Sequence, residues 1–401
     1  RSALHTILIE TESFPNIELV TKAYNGAPFP DQYDDHTLAS LKKLDPKLFP
    51  ITDADRKAAG TEKSAAGQVL GDMAEQVTGG IVDKNGADMP MIIEKYIKKN
   101  KLGNQLVSKW YNRNAKGFFN IGLVTDRGKY DATALDIKKA LATEAGLSRL
   151  GDAGNELIKN TFVVFSKMNF VPNEVVAAAI RTAALAASAK LNPIAQKAAE
   201  KAADLLYEKT KEGYSVWTIS YLYRLKWNDS IQYIFNNDYW IESTEKDAKK
   251  IAERKAAFDK SELFGMEYVG KEMNAYLIMP NKDNKTDEKL IARATVRSVE
   301  GVFSKLQKKF EVFKPKFPLF SGDPVTAKIG RKEGLEGGEK FEVLDQILDE
   351  KTGRTRYDRV GTITVDGDKI WDNRFGAGEE PQKEGKGEVV DKTYFKGGKK
   401  L

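Results

Sequence analysis

The sequence predicts a multi-domain protein of the α+β / α/β class: a mixed sheet with helices, an Ala-rich helical hairpin inserted into it, and a C-terminal SH3-like small β-barrel. Three observations carry this reading. Helical and strand-like periods alternate between residues 91 and 165, the pattern of an α/β layer. Residues 214–227 alternate between apolar and polar like one long strand. The last quarter holds short strand-like runs separated by glycine-bearing turns. At 401 residues, the chain has room for two or three cores.

Composition narrows the classes. With 64 basic against 58 acidic residues, the charge of +6 is a small remainder of a well-mixed surface, unlike the one-sided field of a nucleic-acid binder, so no nucleic-acid partner is expected. The absence of cysteine rules out disulfides, thiolate metal sites and a cysteine nucleophile. No run of about 18 apolar residues occurs, and no transmembrane helix is expected. The most apolar stretch, 175–191, is Ala-rich and carries Arg181 and Lys190. The first residues lack the features of a signal peptide, which is taken to have been removed ahead of this numbering.

In chain order, residues 1–60 read as an irregular N-terminal segment. A short β-branched strand at 4–10 is followed by repeated proline breaks at Pro28, Pro30 and Pro46. An α/β body spans 61–312. Within it, 61–81 suits a glycine-weakened helix, and 91–111 a stronger one interrupted near 100–103. A strand is expected at 120–124, a helix at 132–150, and a strand at 161–165, where Thr161, Val163 and Val164 are β-branched. The hairpin insertion spans 175–212, split by Asn192-Pro193 because proline cannot continue the helical ladder.

Residues 214–227 predict a half-buried strand with Trp217, Ile219, Tyr221, Tyr223, Leu225 and Trp227 on one face. Another strand is expected within 266–279. A helix from Asp287 to about Phe310 is signalled by Thr286 as N-cap, acids in its first turn and Lys305, Lys308 and Lys309 near its end. Prolines at 315 and 318 mark a stiff linker. The barrel is placed at 313–376, with strands at 325–329, 340–348, 355–365 and 369–371 and a hairpin turn at Asp366-Gly367. Residues 377–401 read as a flexible tail rich in Gly, Lys and Glu, in which Tyr394-Phe395 could dock against the rest of the chain.

Residues 327–343, with Ile329-Gly330, Gly334-Leu335, Gly337, Phe341 and Val343, resemble the hairpin of C-terminal barrels in the flagellar periplasmic T-protein family. The run Val360-Gly361-Thr362-Ile363-Thr364-Val365 is similar to the return strand of those barrels. The body is similar to the α/β domain of curli-secretion lipoproteins, in the order helix, Gly117-Phe118-Phe119 strand, helix, strand, long strand, helix. The lipid-bearing cysteine of that family is absent and the hairpin has no counterpart in it, so channel formation is not implied. The whole chain resembles uncharacterised exported proteins of Bacteroides-type bacteria, and Asp229-Ser230-Ile231 resembles their O-glycosylation signal. What these resemblances imply is a periplasmic or exported location and an assembly role.

The chemistry-bearing residues are sparse. His5 and His36 are far apart in sequence, which argues against a histidine triad or a multi-histidine metal site. Asp34-Asp35 and Asp53-Ala54-Asp55 could hold a metal or form an acid/base pair, but solvated loops are favoured. No catalytic, cofactor-binding or metal-ligating residue is assigned, and no cofactor is expected. The interaction candidates are Trp217, Tyr221, Tyr223 and Trp227, which could stack sugars or bases or fill a core, and Lys305, Lys308 and Lys309, part of a local excess of ten basic over five acidic residues between 281 and 316. The expected function is a non-enzymatic envelope protein with an assembly, scaffolding or protein-interaction role, with protein partners and a homo-oligomer among the expectations. The alternative is a carbohydrate-binding protein or a carboxylate-dependent enzyme of the periplasm or cell surface.

Overall fold

Strand β1 (Ser2–Ile9) is the spine of the main sheet, and its run Leu4, Ile7, Leu8 and Ile9 is buried because both of its faces are covered. The computed structural model describes residues 2–11, 14, 16–59, 86–131, 157–280, 286–348, 355–379 and 390–398. Helix α1 (Ile17–Asn25), capped by the Asn16 side chain, returns the chain to β2 (Tyr33–Asp35) and β3 (Lys43–Leu44). Both pair in parallel with β1. The segment expected to be irregular thus supplies one edge of the sheet and the strand next to it. Pro28, Pro30 and Pro46 fall in connections between these elements, where no ladder is broken.

Helices α2 (Asp53–Ala58), α3 (Met89–Lys99), α4 (Leu102–Trp110) and α5 (Gly122–Asp131) follow. The break expected near 100–103 is a sharp turn at Lys101, which takes φ of 47°. The strand expected at 120–124 does not form: residues 120 and 121 lead into α5, and 122–124 are its first residues. The Asn120 side chain accepts the Gly122 N–H at 3.0 Å at the helix start, and the Phe119 amide is drawn off to Ile241. The helices expected at 61–81 and 132–150 lie outside the described residues.

Strand β4 (Thr161–Pro172) pairs in parallel with β1, then β5 (Tyr214–Leu225) and β6 (Met266–Ile278) add antiparallel strands. The order is β2-β1-β4-β5-β6, a mixed sheet as expected. Between β4 and β5 rises the hairpin of α6 (Asn173–Ser188) and α7 (Pro193–Thr210). Helices α8 (Asp229–Ile234) and α9 (Ala248–Lys260), with a π-turn at Phe235–Tyr239, lie between β5 and β6. Helix α10 (Asp287–Lys309) begins at the Thr286 cap.

Two faces of the sheet are thereby covered. On one, Ile7, Val163, Phe165, Tyr221 and Tyr223 pack under α3 and α4. Next to them, Trp110, Tyr111, Phe119, Trp227, Phe235, Phe258 and Phe264 form an aromatic core. On the other face, Leu4, Leu8, Phe162, Val164, Val216 and Leu222 meet α1 and α10. Strand β5, expected to be half-buried, is therefore covered on both sides over most of its length. Its polar positions are satisfied in pairs: Thr218 with Ser298 at 2.6 Å and Ser220 with Ser166 at 2.8 Å.

The C-terminal module is a five-stranded antiparallel sheet of β7 (Leu319–Gly322), β8 (Val325–Ala327), β9 (Lys340–Leu348), β10 (Thr355–Val365) and β11 (Thr393–Gly397). Its order is β7-β8-β11-β10-β9, an antiparallel path in which β7 and β9 do not pair among the described residues, so closure into the expected SH3-like barrel is not seen there. Residues 369–371 are not a strand. The central strand β11 comes from the segment expected to be a flexible tail, held because Phe395 completes the core of Val325, Ala327, Ile329, Leu335, Ile363 and Val365.

The module is fastened to α10. Buried Arg297 donates from Nε to the Phe375 carbonyl at 2.8 Å, and Arg293 lies against Gly376. Gly334, at φ of 75°, has no room for a Cβ, which would lie 2.5 Å from Ser304 Oγ.

Candidate functional site

The three strands β4, β5 and β6 have 12, 12 and 13 residues, about 40 Å each at the usual strand rise. Helix α10, with 23 residues, spans about 34 Å and covers its face along most of that length. On the opposite face, α3 and α4 have 11 and 9 residues, about 16 and 14 Å each, and they end over Tyr221 and Tyr223. Beyond them the register sets Trp217 beside Ala275, Ile219 beside Met273 and Ser215 beside Leu277. Met273 is 53% exposed and Leu277 46%, Ala275 is exposed between them, and Trp217 and Ile219 are half-buried.

This apolar sheet face, with Trp217 beside the exposed row of β6, is the candidate site. Met and Trp are enriched at protein interfaces, and contiguous exposed apolar surface is rare on parts of a fold with no partner. Lys271 stands at its border with the Tyr221 ring, 5.7 Å away.

The other aromatic candidates go to the core. Tyr221, Tyr223 and Trp227 are buried, so they present no open ring face to a sugar or base. Burial drives the Tyr223 hydroxyl well above the usual phenol range. The three lysines serve as fasteners. Lys305 donates to the Met273 carbonyl at 2.9 Å, Lys309 pairs with Glu272, and Lys308 reaches the Gly334 carbonyl and Glu339, both at 2.6 Å. Two of them thus bind the outermost strand β6, and the third binds the C-terminal module.

The histidines, distant in sequence, are brought together, His5 on β1 and His36 just past the end of β2, and the His36 amide bonds the Leu4 carbonyl at 2.9 Å. His36 Nε2 donates to the Leu106 carbonyl at 3.0 Å, which leaves Nδ1 to accept from Arg127 at 3.0 Å. Its ring stacks on Trp110, on whose ring Arg127 also lies. Both ring nitrogens are committed, and burial holds His36 well below its ordinary pKa, so it is neutral. His5 is likewise lowered, to about 4, chiefly by burial. The Asp35 carboxyl resists burial and stays below its usual range through Thr37, Lys109 and Arg127. Among the described residues this is a packed polar knot around two buried histidines.

The acidic pairs are also occupied. Asp53 bonds Arg56 at 2.6 Å, and Asp55 closes a capping box with Thr52 while pairing with Lys95 at 2.8 Å. Among the described residues, no group of three or more His, Asp and Glu side chains gathers as a metal site. Ser230 is exposed in the first turn of α8.

One cleft, of about 70 Å³, lies between α1, the Ala27–Pro30 turn, α10 and Lys332. Phe29, Val299 and Phe303 are among its apolar walls, and Glu300 lines it with a carboxyl that burial raises. Glu300 also accepts the Phe375 N–H at 3.3 Å, so the cleft belongs to the seam with the C-terminal module.

The sequence pointed to Trp217 but not to Met273, Ala275 or Leu277. Their alternation was a signal for a half-covered strand, but it does not tell which face the short helices leave open. Comparison with family models, curated proteins and solved structures gives no match for this chain.

Proposed function

We propose that this chain is a non-enzymatic assembly or scaffolding protein of the cell envelope that docks a partner protein on the open sheet face around Trp217. The observation that carries the reading is the exposed row Met273, Ala275 and Leu277 beside Trp217 on a sheet whose remaining core is closed by helices. The location rests on the resemblance of residues 327–343 and 360–365 to flagellar periplasmic barrels. The seam between body and C-terminal module makes the two a single scaffold on which this face is rigidly held.

A crosslinked pull-down from an envelope fraction tests it. The double variant Met273→Asp, Leu277→Asp and the single variant Trp217→Ala should each lose the partner, with Trp217→Ala costing about 2 kcal/mol of binding, the scale of an interface hot spot. An unchanged melting temperature in the double variant separates lost docking from lost folding. Undiminished recovery by both would sink the docking face, and fractionation of the native protein with the cytoplasm would sink the envelope placement.

A further inference from the structure

The α6–α7 hairpin rises from the end of the sheet next to the site above. It is rooted by one residue, Asn173, whose side chain donates to the Glu212 carbonyl at 2.8 Å and the Ile278 carbonyl at 2.9 Å and accepts from Ser215 at 2.7 Å. From that root, the 16 residues of α6 reach about 24 Å away. The turn at the far end is well made: Asn192 accepts the Ala195 N–H at 3.0 Å, Pro193 opens α7, and the Leu191 N–H bonds the Ser188 carbonyl at 2.9 Å.

What this ordered tip presents is apolar. Ile194 is 85% exposed and Leu191 48%, and Ile180 is exposed further down α6. No Asp or Glu occurs from residue 175 through residue 199, although acids make up 58 of the 401 residues of the chain. Over the same interval stand Arg181, Lys190 and Lys197. Arg181 is neutralised by Asp204 at 2.6 Å, whereas Lys190 and Lys197 are exposed and make no ion pair among the described residues. The nearest acid on α7, Glu200, is held by Gln196 at 2.9 Å.

We infer that the hairpin tip is a membrane-surface anchor, with Leu191 and Ile194 entering the acyl boundary of a bilayer and Lys190 and Lys197 meeting anionic phospholipid headgroups. An apolar wedge rimmed by cations and free of acids suits an anionic lipid surface on both counts, since burial draws in the side chains while the surface potential draws in the lysines. A carboxylate anywhere in that rim would oppose both, and the sequence has none there. No helix among the described residues is long and apolar enough to cross a membrane, so this contact is a shallow one. The tip lies at the end of the arm opposite its root on the sheet.

Sedimentation of the full chain with vesicles tests this. Binding is expected to vesicles of phosphatidylglycerol and phosphatidylcholine, and to be much weaker to phosphatidylcholine alone. Ile194→Asp should reduce partitioning at least about tenfold. Lys190→Glu and Lys197→Glu should each reduce it by about fivefold or more, and only where phosphatidylglycerol is present. The tip is solvent-exposed, so unchanged melting temperatures are expected and show that folding is intact. Absence of vesicle binding by the parent chain, or equal binding by Ile194→Asp, would overturn the inference, as would binding indifferent to lipid charge.

Discussion

Arg297 Nε donates to the backbone carbonyl of Phe375 at 2.8 Å, while the same guanidinium donates from Nη1 to the Tyr276 hydroxyl at 2.9 Å. One buried side chain on α10 thereby ties the outer strand of the main sheet to the C-terminal module. Charge-assisted bonds in such a setting are among the stronger ones.

Replacing Arg297 with Ala should therefore loosen the module as well as destabilise the fold. The expected loss is about 2 to 3 kcal/mol, read from urea unfolding. Protease cleavage within 313–318 should accelerate. An unchanged midpoint together with unchanged cleavage would show that the seam does not depend on this residue.

Gly103, in the first turn of α4, has its backbone against Phe264. A Cβ there would sit 1.8 Å from the Phe264 carbonyl oxygen, which is backbone and cannot swing aside. Gly103→Ala is expected to cost about 3 kcal/mol, the upper range for overpacking, despite the better helix propensity of alanine. A stabilised variant in thermal unfolding would contradict the close approach.

His5 is lowered from 6.5 to about 4, mainly by burial, so the folded protein holds it neutral. The unfolded chain binds the proton more readily between those values. The stability contributed is thus complete above pH 6.5 and falls away as pH drops towards 4, by roughly 3 kcal/mol for this residue. His36, also lowered by burial, acts in the same direction. Chemical denaturation at pH 7.5 and pH 5 should show the loss, and His5→Gln should shrink it. Equal stability of the parent chain at both pH values would refute the buried neutral state.

Among the described residues β6 is the last strand on its side of the main sheet, and an open strand edge invites pairing with other chains. Lys305 occupies its Met273 carbonyl and Lys309 engages its Glu272. The double variant Lys305→Ala, Lys309→Ala is expected to self-associate at concentrations where the parent chain does not, measured by light scattering. Identical scattering would show that these lysines do not guard the edge.

Several elements were legible because their signals are local. The Thr286 cap, the first-turn acids and the apolar stripe of α10 lie within one segment, as does the Asn192-Pro193 break that divides the hairpin. The expectation for 120–124 failed because Asn120 starts a helix through a side-chain bond that competes with the β-like run Asn120-Ile121. The tail shows the same limit: Tyr394-Phe395 marks a docking candidate, but Thr393–Gly397 is short and surrounded by lysine and glycine, and becomes a strand because β8 and β10 offer a gap that Phe395 fills.

The sequence by itself determined that helices and strands alternate in a mixed α+β architecture, that β5 carries an aromatic row, that the hairpin bears no acid over 175–199, and that cysteine chemistry is absent. These depend on residue type and short-range period. Tertiary packing alone makes His5 and His36 neighbours, closes in Tyr221, Tyr223 and Trp227 while Met273 and Leu277 stay open, and lets Lys308 fasten α10 to the C-terminal module. The physical reason is that burial and pairing are set by which elements meet. Two short helices cannot cover strands about 40 Å long, and no local pattern in β5 or β6 records where those helices stop.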